Sequence, residues 1–122
     1  MLLRLALSYG SRAELADAVR GLAQDVAGGR LDPKLIDEET LRNYLYDPTT
    51  PDPDLLIRTA GEMRLSNFLL WQVSYSELYV SEVCWPEFRE PELLSAIEAY
   101  ASRVRKFGAL LDKSTKNGNG TA

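Results

Sequence analysis

The sequence contains no histidine and only one cysteine, Cys84. The lack of histidine removes the usual general base near neutral pH and the commonest zinc ligand. One cysteine cannot form a disulfide within the chain, so a reducing compartment is expected. Because free cysteines are among the most buried residues, Cys84 is interpreted as a buried structural thiol.

Long hydrophobic runs and an excess of positive charge are also missing. No apolar run approaches the roughly 18–20 residues that cross a bilayer. The opening MLLRLALSYG lacks the small-residue cleavage pattern of a signal peptide. The net charge of −4 argues against a broad nucleic-acid-binding surface. Any anion-binding site must therefore be local.

The apolar residues of the first third predict a strand followed by a helix. The strand is expected at Leu2–Leu7. The helix is expected to open at Ser11, where Ser11 and Glu14 have the spacing of a capping box. Its apolar residues recur at helical spacing on one face: Leu15, Val19, Leu22 and Val26.

The rest of the chain predicts further alternation of helices and strands. A second helix is expected at Asp37 and a last helix near Pro91. The other expected elements are strands at Leu55–Ile57 and Leu78–Val83, a short helix at Phe68–Gln72, and an apolar stripe on the last helix made of Leu94, Ile97, Ala101 and Val104. Residues 112–122 have little to bury and are expected to form a disordered tail after a folded domain at 1–111.

This order of elements predicts an α/β fold with a partial parallel sheet and flanking helices. Only about three strands are recognisable, and parallel strands need both faces covered. The sequence therefore leads us to expect that a partner, or the rest of a domain, completes the sheet.

The stretch RTAGEMRLSN, from Arg58 to Asn67, follows a predicted strand. In open α/β sheets, ligands bind beyond the carboxyl ends of the strands. Arginine presents a fork of donors that matches phosphate oxygens. Ser66 is expected to cap the following helix and to offer its hydroxyl or N–H to an anion. Arg58, Arg64 and Ser66 thus predict a phosphate or diphosphate site.

Two alternatives stay open for the charged residues of this region. The arginines would have no ligand if both paired with Glu62 and Asp54 on a solvated loop. The carboxylates of Glu62 and Glu77 suit Mg²⁺ beside a diphosphate, since this ion takes oxygen ligands. The alternative is that they are ordinary surface charges, as a lone glutamate normally is.

The stretch PDPDLLIRTAGEMRLSNFLLWQVSYSELYV resembles the C-terminal signature of the cis-prenyltransferases, the undecaprenyl diphosphate synthase family. The family pattern D-L-x-I-R-T-x-G-E-x-R-x-S-N-F-L-x-W-Q-x-x-Y-x-E-L is matched at every specified position from Asp54 to Leu78. LSYGSRAEL, CWPEF and RVRKFGAL are similar to flanking family motifs, with Ser8 for asparagine and Ser11 for glycine. The resemblance extends over about residues 2–110.

The resemblance implies a prenyltransferase that condenses isopentenyl diphosphate with an allylic prenyl diphosphate to give a polyprenyl diphosphate. The positions that bind the diphosphate of isopentenyl diphosphate fall on Arg58, Arg64 and Ser66, with Leu65 contributing its backbone. Glu77 falls on a Mg²⁺ ligand position. No catalytic residue falls in this part of the family pattern.

Two further charged residues have supporting roles by the same resemblance. Glu62 is expected to orient the arginines. Lys106 falls on an Arg-x-Gly element that reaches the active site of the neighbouring subunit, so a homodimer or a complementing cis-prenyltransferase chain is implied. Lysine keeps the positive charge there but loses the bidentate fork.

The family's N-terminal motif, similar to M-D-G-N-x-R-W, binds the allylic diphosphate and does not occur in this sequence. The chain is therefore expected to be the C-terminal half of a cis-prenyltransferase, with little or no turnover in isolation. A non-catalytic partner subunit and an inactive fragment are the alternatives. The lipid product implies a cytoplasmic enzyme with peripheral contact to a membrane, or a plastid enzyme if a transit peptide precedes it.

Overall fold

A computed structural model describes residues 1–103 of the chain. The helices are α1 (Ser11–Ala27), α2 (Glu38–Arg42) and α3 (Glu90–Ala101), the strands are β1 (Leu55–Arg58) and β2 (Glu77–Val80), and single 3-10 turns lie at Pro33–Leu35 and Trp85–Glu87. The predicted mixture of helices and strands is confirmed. Residues 112–122, predicted to be disordered, lie outside the described residues.

The strands β1 and β2 pair in parallel, as predicted for an α/β fold. Leu55 lies opposite Glu77 and Arg58 lies opposite Val80. The helix α3 packs against β2. The sheet therefore places the end of β1 beside the residues that follow β2. The loop of residues 59–67, called the signature loop below, begins there.

The predicted strand at Leu2–Leu7 is not formed in the described structure. A strand exists only when another strand pairs with it, and the sheet within residues 1–103 contains β1 and β2 alone. The apolar side chains of this segment are 75–81% exposed: Leu2, Leu3, Leu5 and Leu7. The prediction failed because it rested on residue type, which does not supply a pairing partner.

The start of α1 also differs from the prediction. Its N-cap is Gly10, which has no side chain to cap the helix. Ser11 and Glu14 do not form the expected capping box and are both buried. The Ser11 hydroxyl instead accepts a hydrogen bond of 2.9 Å from the backbone N–H of Leu70. The side chains of Ser11 and Glu14 therefore form hydrogen bonds with residues that are distant in the sequence.

The buried core of the described residues is small. Its apolar members are Ala18, Leu22, Leu45, Val73 and Ala96. Leu22 confirms one predicted position of α1, but Val19 is exposed. The stripe predicted on α3 is wrong at Leu94, Ile97 and Ala101, which are exposed, because α3 buries Ala96 instead. Val104 lies outside the described residues.

Three local predictions have different outcomes. The second helix starts at Asp37 as expected, and Asp37 is its N-cap, since its carboxylate accepts a hydrogen bond of 2.7 Å from the N–H of Thr40. The helix predicted at Phe68–Gln72 is replaced by turns. Cys84 is exposed, so its interpretation as a buried thiol is wrong. None of the helices within the described part of the chain meets the length and hydropathy needed to span a membrane.

Candidate functional site

Arg58 is the last residue of β1, at the carboxyl end of the strand. Its side chain is only 22% exposed, and its guanidinium forms an ion pair with the carboxylate of Glu62. The Nε atom of Arg58 is buried and has no hydrogen-bond partner. Leaving such a donor unsatisfied costs about 1–3 kcal/mol, so an acceptor placed here would be stabilising.

Arg64, further along the loop, also pairs with Glu62. Arg58, Glu62 and Arg64 together are called the arginine cluster. Nη2 of Arg64 lies 2.8 Å from Oε1 of Glu62, and the side chain of Arg64 is 68% exposed. Glu62 thus bridges the two arginines, which is the pairing considered as an alternative from the sequence. The bridge holds two guanidinium groups at one place and leaves the cluster with an excess of positive charge.

This cluster has the chemistry of an anion site. Guanidinium forks bind phosphate oxygens in pairs, and charge-assisted hydrogen bonds are about twice as strong as neutral ones. A diphosphate offers enough oxygens to satisfy Nε of Arg58 and the exposed donors of Arg64 together. Glu62 occupies one donor, Nη2, of each arginine.

The first half of the loop is fixed to the segment that follows β2. The N–H of Ala60 donates to the carbonyl of Val83 at 2.8 Å, and the N–H of Gly61 donates to the carbonyl of Ser81 at 2.9 Å. Ala60 and Gly61 have φ angles of 59° and 64°. This left-handed backbone turns the chain sharply and brings Glu62 back over Arg58.

An acid that the sequence analysis missed lies beside this turn. A Cβ atom placed on Gly61 would lie 2.9 Å from Oε2 of Glu82. Glu82 comes just after β2, and the carboxyl ends of parallel strands meet at one edge of a sheet. The same reasoning that selected Arg58 would have selected Glu82 if it had been applied to the second strand.

We expect the substitution Gly61→Ala to destabilise the chain by about 1 kcal/mol, because alanine disfavours a positive φ. It should also weaken anion binding, because strain in this turn shifts Glu62 and the two arginines that it bridges. Gly29→Ala is the matched control, because Gly29 has a φ of 70° and no atom within 4 Å of the added Cβ. Urea denaturation and anion titration of both variants test this. Equal effects of the two variants on anion binding would contradict it.

Leu65 and Ser66 follow Arg64 in the same loop. Ser66 has a φ of 52° and is exposed. It does not cap a helix as predicted, because an N-cap residue has an extended backbone and the next helix in the described residues, α3, begins only at Glu90. In the sequence, Ser66 is nevertheless only two residues from Arg64, a member of the arginine cluster.

Glu77 is not brought to the arginine cluster. Its Oε2 atom forms an ion pair of 3.0 Å with Nη1 of Arg103. Glu77 begins β2 opposite Leu55, whereas Arg58 ends β1 opposite Val80. At a rise of about 3.3 Å per residue, the backbones of Glu77 and Arg58 are about 10 Å apart along the sheet.

The described residues therefore do not assemble a magnesium site. No group of three or more histidine, cysteine, aspartate or glutamate side chains suited to a metal occurs within residues 1–103. The carboxylate of Glu77 is taken by Arg103. Lys106, assigned to the supporting element, lies outside the described residues.

With this geometry in place, comparison with known proteins identifies the family. The undecaprenyl diphosphate synthase model, a prenyltransferase family, matches residues 1–108. The chain belongs to this family. The match includes the whole signature loop and the arginine cluster, and members of the family are prenyltransferases that make prenyl diphosphates.

Two curated family members illustrate the similarity. A tritrans,polycis-undecaprenyl-diphosphate synthase (geranylgeranyl-diphosphate specific) of Methanopyrus kandleri is 58% identical over 106 residues, which are 87% of this chain and 39% of that protein. An isoprenyl transferase of Thermotoga maritima is 53% identical over 113 residues, 92% of this chain and 47% of that protein. The chain thus spans less than half the length of these relatives.

Solved structures of the family share the fold. Lavandulyl diphosphate synthase from Lavandula x intermedia, solved in complex with dimethylallyl diphosphate, superposes with a TM-score of 0.82 at 45% identity, over 85% of this chain and 45% of that one. A probable undecaprenyl diphosphate synthase from Campylobacter jejuni gives a TM-score of 0.68 at 40% identity, over 85% and 46% of the two chains.

Proposed function

We propose that this chain provides the isopentenyl diphosphate site of a cis-prenyltransferase that condenses this substrate with an allylic prenyl diphosphate. The observation that carries the proposal is the arginine pair around Glu62 at the carboxyl end of β1, with the buried Nε of Arg58 lacking an acceptor. The names of the relatives agree with a diphosphate substrate.

In this proposal the arginines bind the diphosphate and Glu62 orients them. Arg58 is held by the sheet and fixes one end of the ligand, whereas the exposed Arg64 closes over the other end. Leu65 and Ser66 add donors from the backbone and the hydroxyl. Fixing the diphosphate sets the direction of the isopentenyl double bond, and such positioning lowers the barrier of a reaction between two substrates.

The proposal does not depend on a bound metal. A magnesium role for Glu77 stays a prediction, and it requires Arg103 to release the carboxylate. A complementing cis-prenyltransferase chain that supplies the allylic site also stays a prediction, and so does a homodimer.

The test is calorimetric titration of the 122-residue chain with isopentenyl diphosphate, isopentenyl monophosphate and isopentenol. We expect the diphosphate to bind at least about tenfold more tightly than the monophosphate, because it engages both guanidinium groups. Isopentenol should not bind measurably.

Equal affinity for the diphosphate and the alcohol would contradict the site. The purified chain should also show little polyprenyl diphosphate synthesis from isopentenyl diphosphate and an allylic diphosphate. Ready synthesis by the chain alone would contradict the dependence on another subunit. No diphosphate binding by a folded chain would instead support the alternative of a non-catalytic partner subunit.

A further inference from the structure

The far end of the signature loop is attached to the first turn of α1. The backbone N–H of Ser11 donates to the carbonyl of Asn67 at 2.9 Å. The backbone N–H of Arg12 donates to the side-chain Oδ1 of Asn67 at 2.8 Å. Asn67 therefore accepts two hydrogen bonds from consecutive residues of the helix.

These contacts supply the N-terminal capping acceptor that α1 lacks. The first N–H groups of any helix have no partner within the helix, and a side-chain oxygen at the N-cap normally accepts from one of them. The N-cap of α1 is Gly10, which cannot do so. Asn67 performs this capping from a position 55 residues away in the sequence.

The side chain of Asn67 also fits closely against this helix end. A Cβ atom on Gly10 would lie 3.0 Å from Nδ2 of Asn67, so the absence of a side chain at Gly10 lets the amide approach. The neighbouring contact from the N–H of Leu70 to the hydroxyl of Ser11, at 2.9 Å, holds the chain just beyond Asn67. In the family motif that this stretch resembles, glycine occupies the position of Ser11. Glycine has no hydroxyl to accept this hydrogen bond from Leu70.

The backbone between Arg64 and α1 is unusual. Ser66 and Asn67 have φ angles of 52° and 63°, in the left-handed region. Asparagine adopts this region more readily than other residues with a Cβ, whereas serine has no such preference. Such a conformation persists only where surrounding contacts impose it. The two bonds from α1 are contacts of this kind, since they are made to Asn67, directly after Ser66 and three residues after Arg64.

We propose that Asn67 is a positioning residue for the diphosphate site, acting as the N-cap of α1 from within the signature loop. The inference rests on the proposed function of Arg64 and Ser66. One end of the loop is fixed by the sheet, through the hydrogen bonds of Ala60 and Gly61. The other end is fixed by α1, through Asn67. Releasing the second attachment frees Arg64 and Ser66 while leaving Arg58 on its strand.

The experiment compares four variants of the 122-residue chain: Asn67→Gly, Asn67→Ala, Asn67→Asp and the control Asn43→Gly. Glycine at position 67 accepts a positive φ, so it removes the capping oxygen without backbone strain. Aspartate keeps an acceptor at the position of Oδ1. Asn43 is an exposed residue at the end of α2, so its replacement by glycine controls for added chain freedom.

Two quantities are measured well below the unfolding temperature. Hydrogen exchange of the Arg12 amide reports the cap, and calorimetry with isopentenyl diphosphate reports the site. We expect Asn67→Gly and Asn67→Ala to lose protection at Arg12 and to raise the Kd about fivefold, in line with the loss of one cap. Asn67→Asp should restore protection of the Arg12 amide, and Asn43→Gly should change neither quantity.

The outcomes separate this inference from the proposed function. If the wild-type chain does not bind isopentenyl diphosphate, the proposed function fails, and with it the positioning role, even if Arg12 is protected. If the wild-type chain binds and Asn67→Gly binds equally well despite losing protection at Arg12, the positioning role alone is overturned. Unchanged protection at Arg12 in Asn67→Gly would overturn the capping role.

Discussion

Replacing Arg58 and Arg64 together with alanine is expected to abolish measurable binding of isopentenyl diphosphate. Each arginine would contribute charge-assisted hydrogen bonds worth about 1.5–3 kcal/mol. Losing both should weaken binding by about 3–6 kcal/mol, or roughly two to four powers of ten in Kd. Calorimetric titration of the wild-type and double-variant chains measures the difference.

The single variants should not be equal. Arg58 is 22% exposed and its Nε is buried without a partner, whereas Arg64 is 68% exposed. Since water screens an exposed charge, Arg64→Ala should have the smaller effect. Arg58→Lys should recover only part of the affinity, because lysine keeps the charge but not the planar fork.

The control is the double variant Arg20→Ala/Arg30→Ala. These arginines also pair with acids, Asp17 and Asp25, and their side chains are 66% and 64% exposed. The control removes the same net charge from another surface, so it accounts for general electrostatic attraction. If both double variants weaken binding equally, the arginine pair at the end of β1 is an ordinary surface ion cluster and the proposed site is wrong.

The arginine cluster could be predicted from sequence because its geometry is local. Arg58 ends a short apolar strand, and only five residues separate it from Arg64. Glycine at position 61 signals the turn that folds the loop back on itself. A strand end, a turn residue and two charges in one short stretch leave few possible arrangements of the two arginines. The parallel pairing of β1 with β2 was predicted from the alternation of helices and strands along the chain.

The features that escaped prediction depend on residues far apart in the chain. Ser11 and Glu14 have capping-box spacing, but their partners are Leu70, Tyr46 and Gln72. Local spacing gives no information about these partners. Residues 68–72 are predicted to be helical, yet they form turns and bends, and this part of the chain is hydrogen-bonded to α1 through Asn67 and Leu70. Contacts between distant segments therefore overrode the local preference both at Ser11 and Glu14 and at residues 68–72.

The largest expected effect on stability comes from Glu14, which is 1% exposed. Its carboxylate accepts hydrogen bonds from the backbone N–H of Tyr46 at 3.0 Å and from Nε2 of Gln72 at 3.2 Å. It also accepts from the hydroxyl of Tyr9. One side chain of α1 thus joins the segments before α1, after α2 and after the signature loop.

We expect Glu14→Ala to lower the free energy of unfolding by about 3–4 kcal/mol, because three donors lose their acceptor in a buried place. Glu14→Gln should lose less, since one oxygen acceptor remains, although its NH₂ group then faces other donors. The exposed Glu98→Ala is the control and should change stability by about 0.5 kcal/mol or less. Urea denaturation measures all three variants.

The substitution Glu14→Ala should also change the pKa of Tyr9. Burial raises the pKa of Tyr9 above its ordinary value, and the hydrogen bond to Glu14 raises it further. The folded chain therefore holds this proton more tightly than the unfolded chain. The stabilising contribution is fully present below the unfolded pKa, near 10, and is lost as the pH rises through the higher folded pKa.

In Glu14→Ala, the pKa of Tyr9 should fall but stay above its ordinary value, because burial still disfavours the phenolate. Ultraviolet absorbance of phenolate during a pH titration measures this, with Tyr9→Phe identifying the contribution of Tyr9 among the six tyrosines. A chain that keeps both its stability and the pKa of Tyr9 after Glu14→Ala would show that the carboxylate does not join these segments. Loss of both would establish that the buried Glu14 holds α1 to the segments that carry Tyr9, Tyr46 and Gln72.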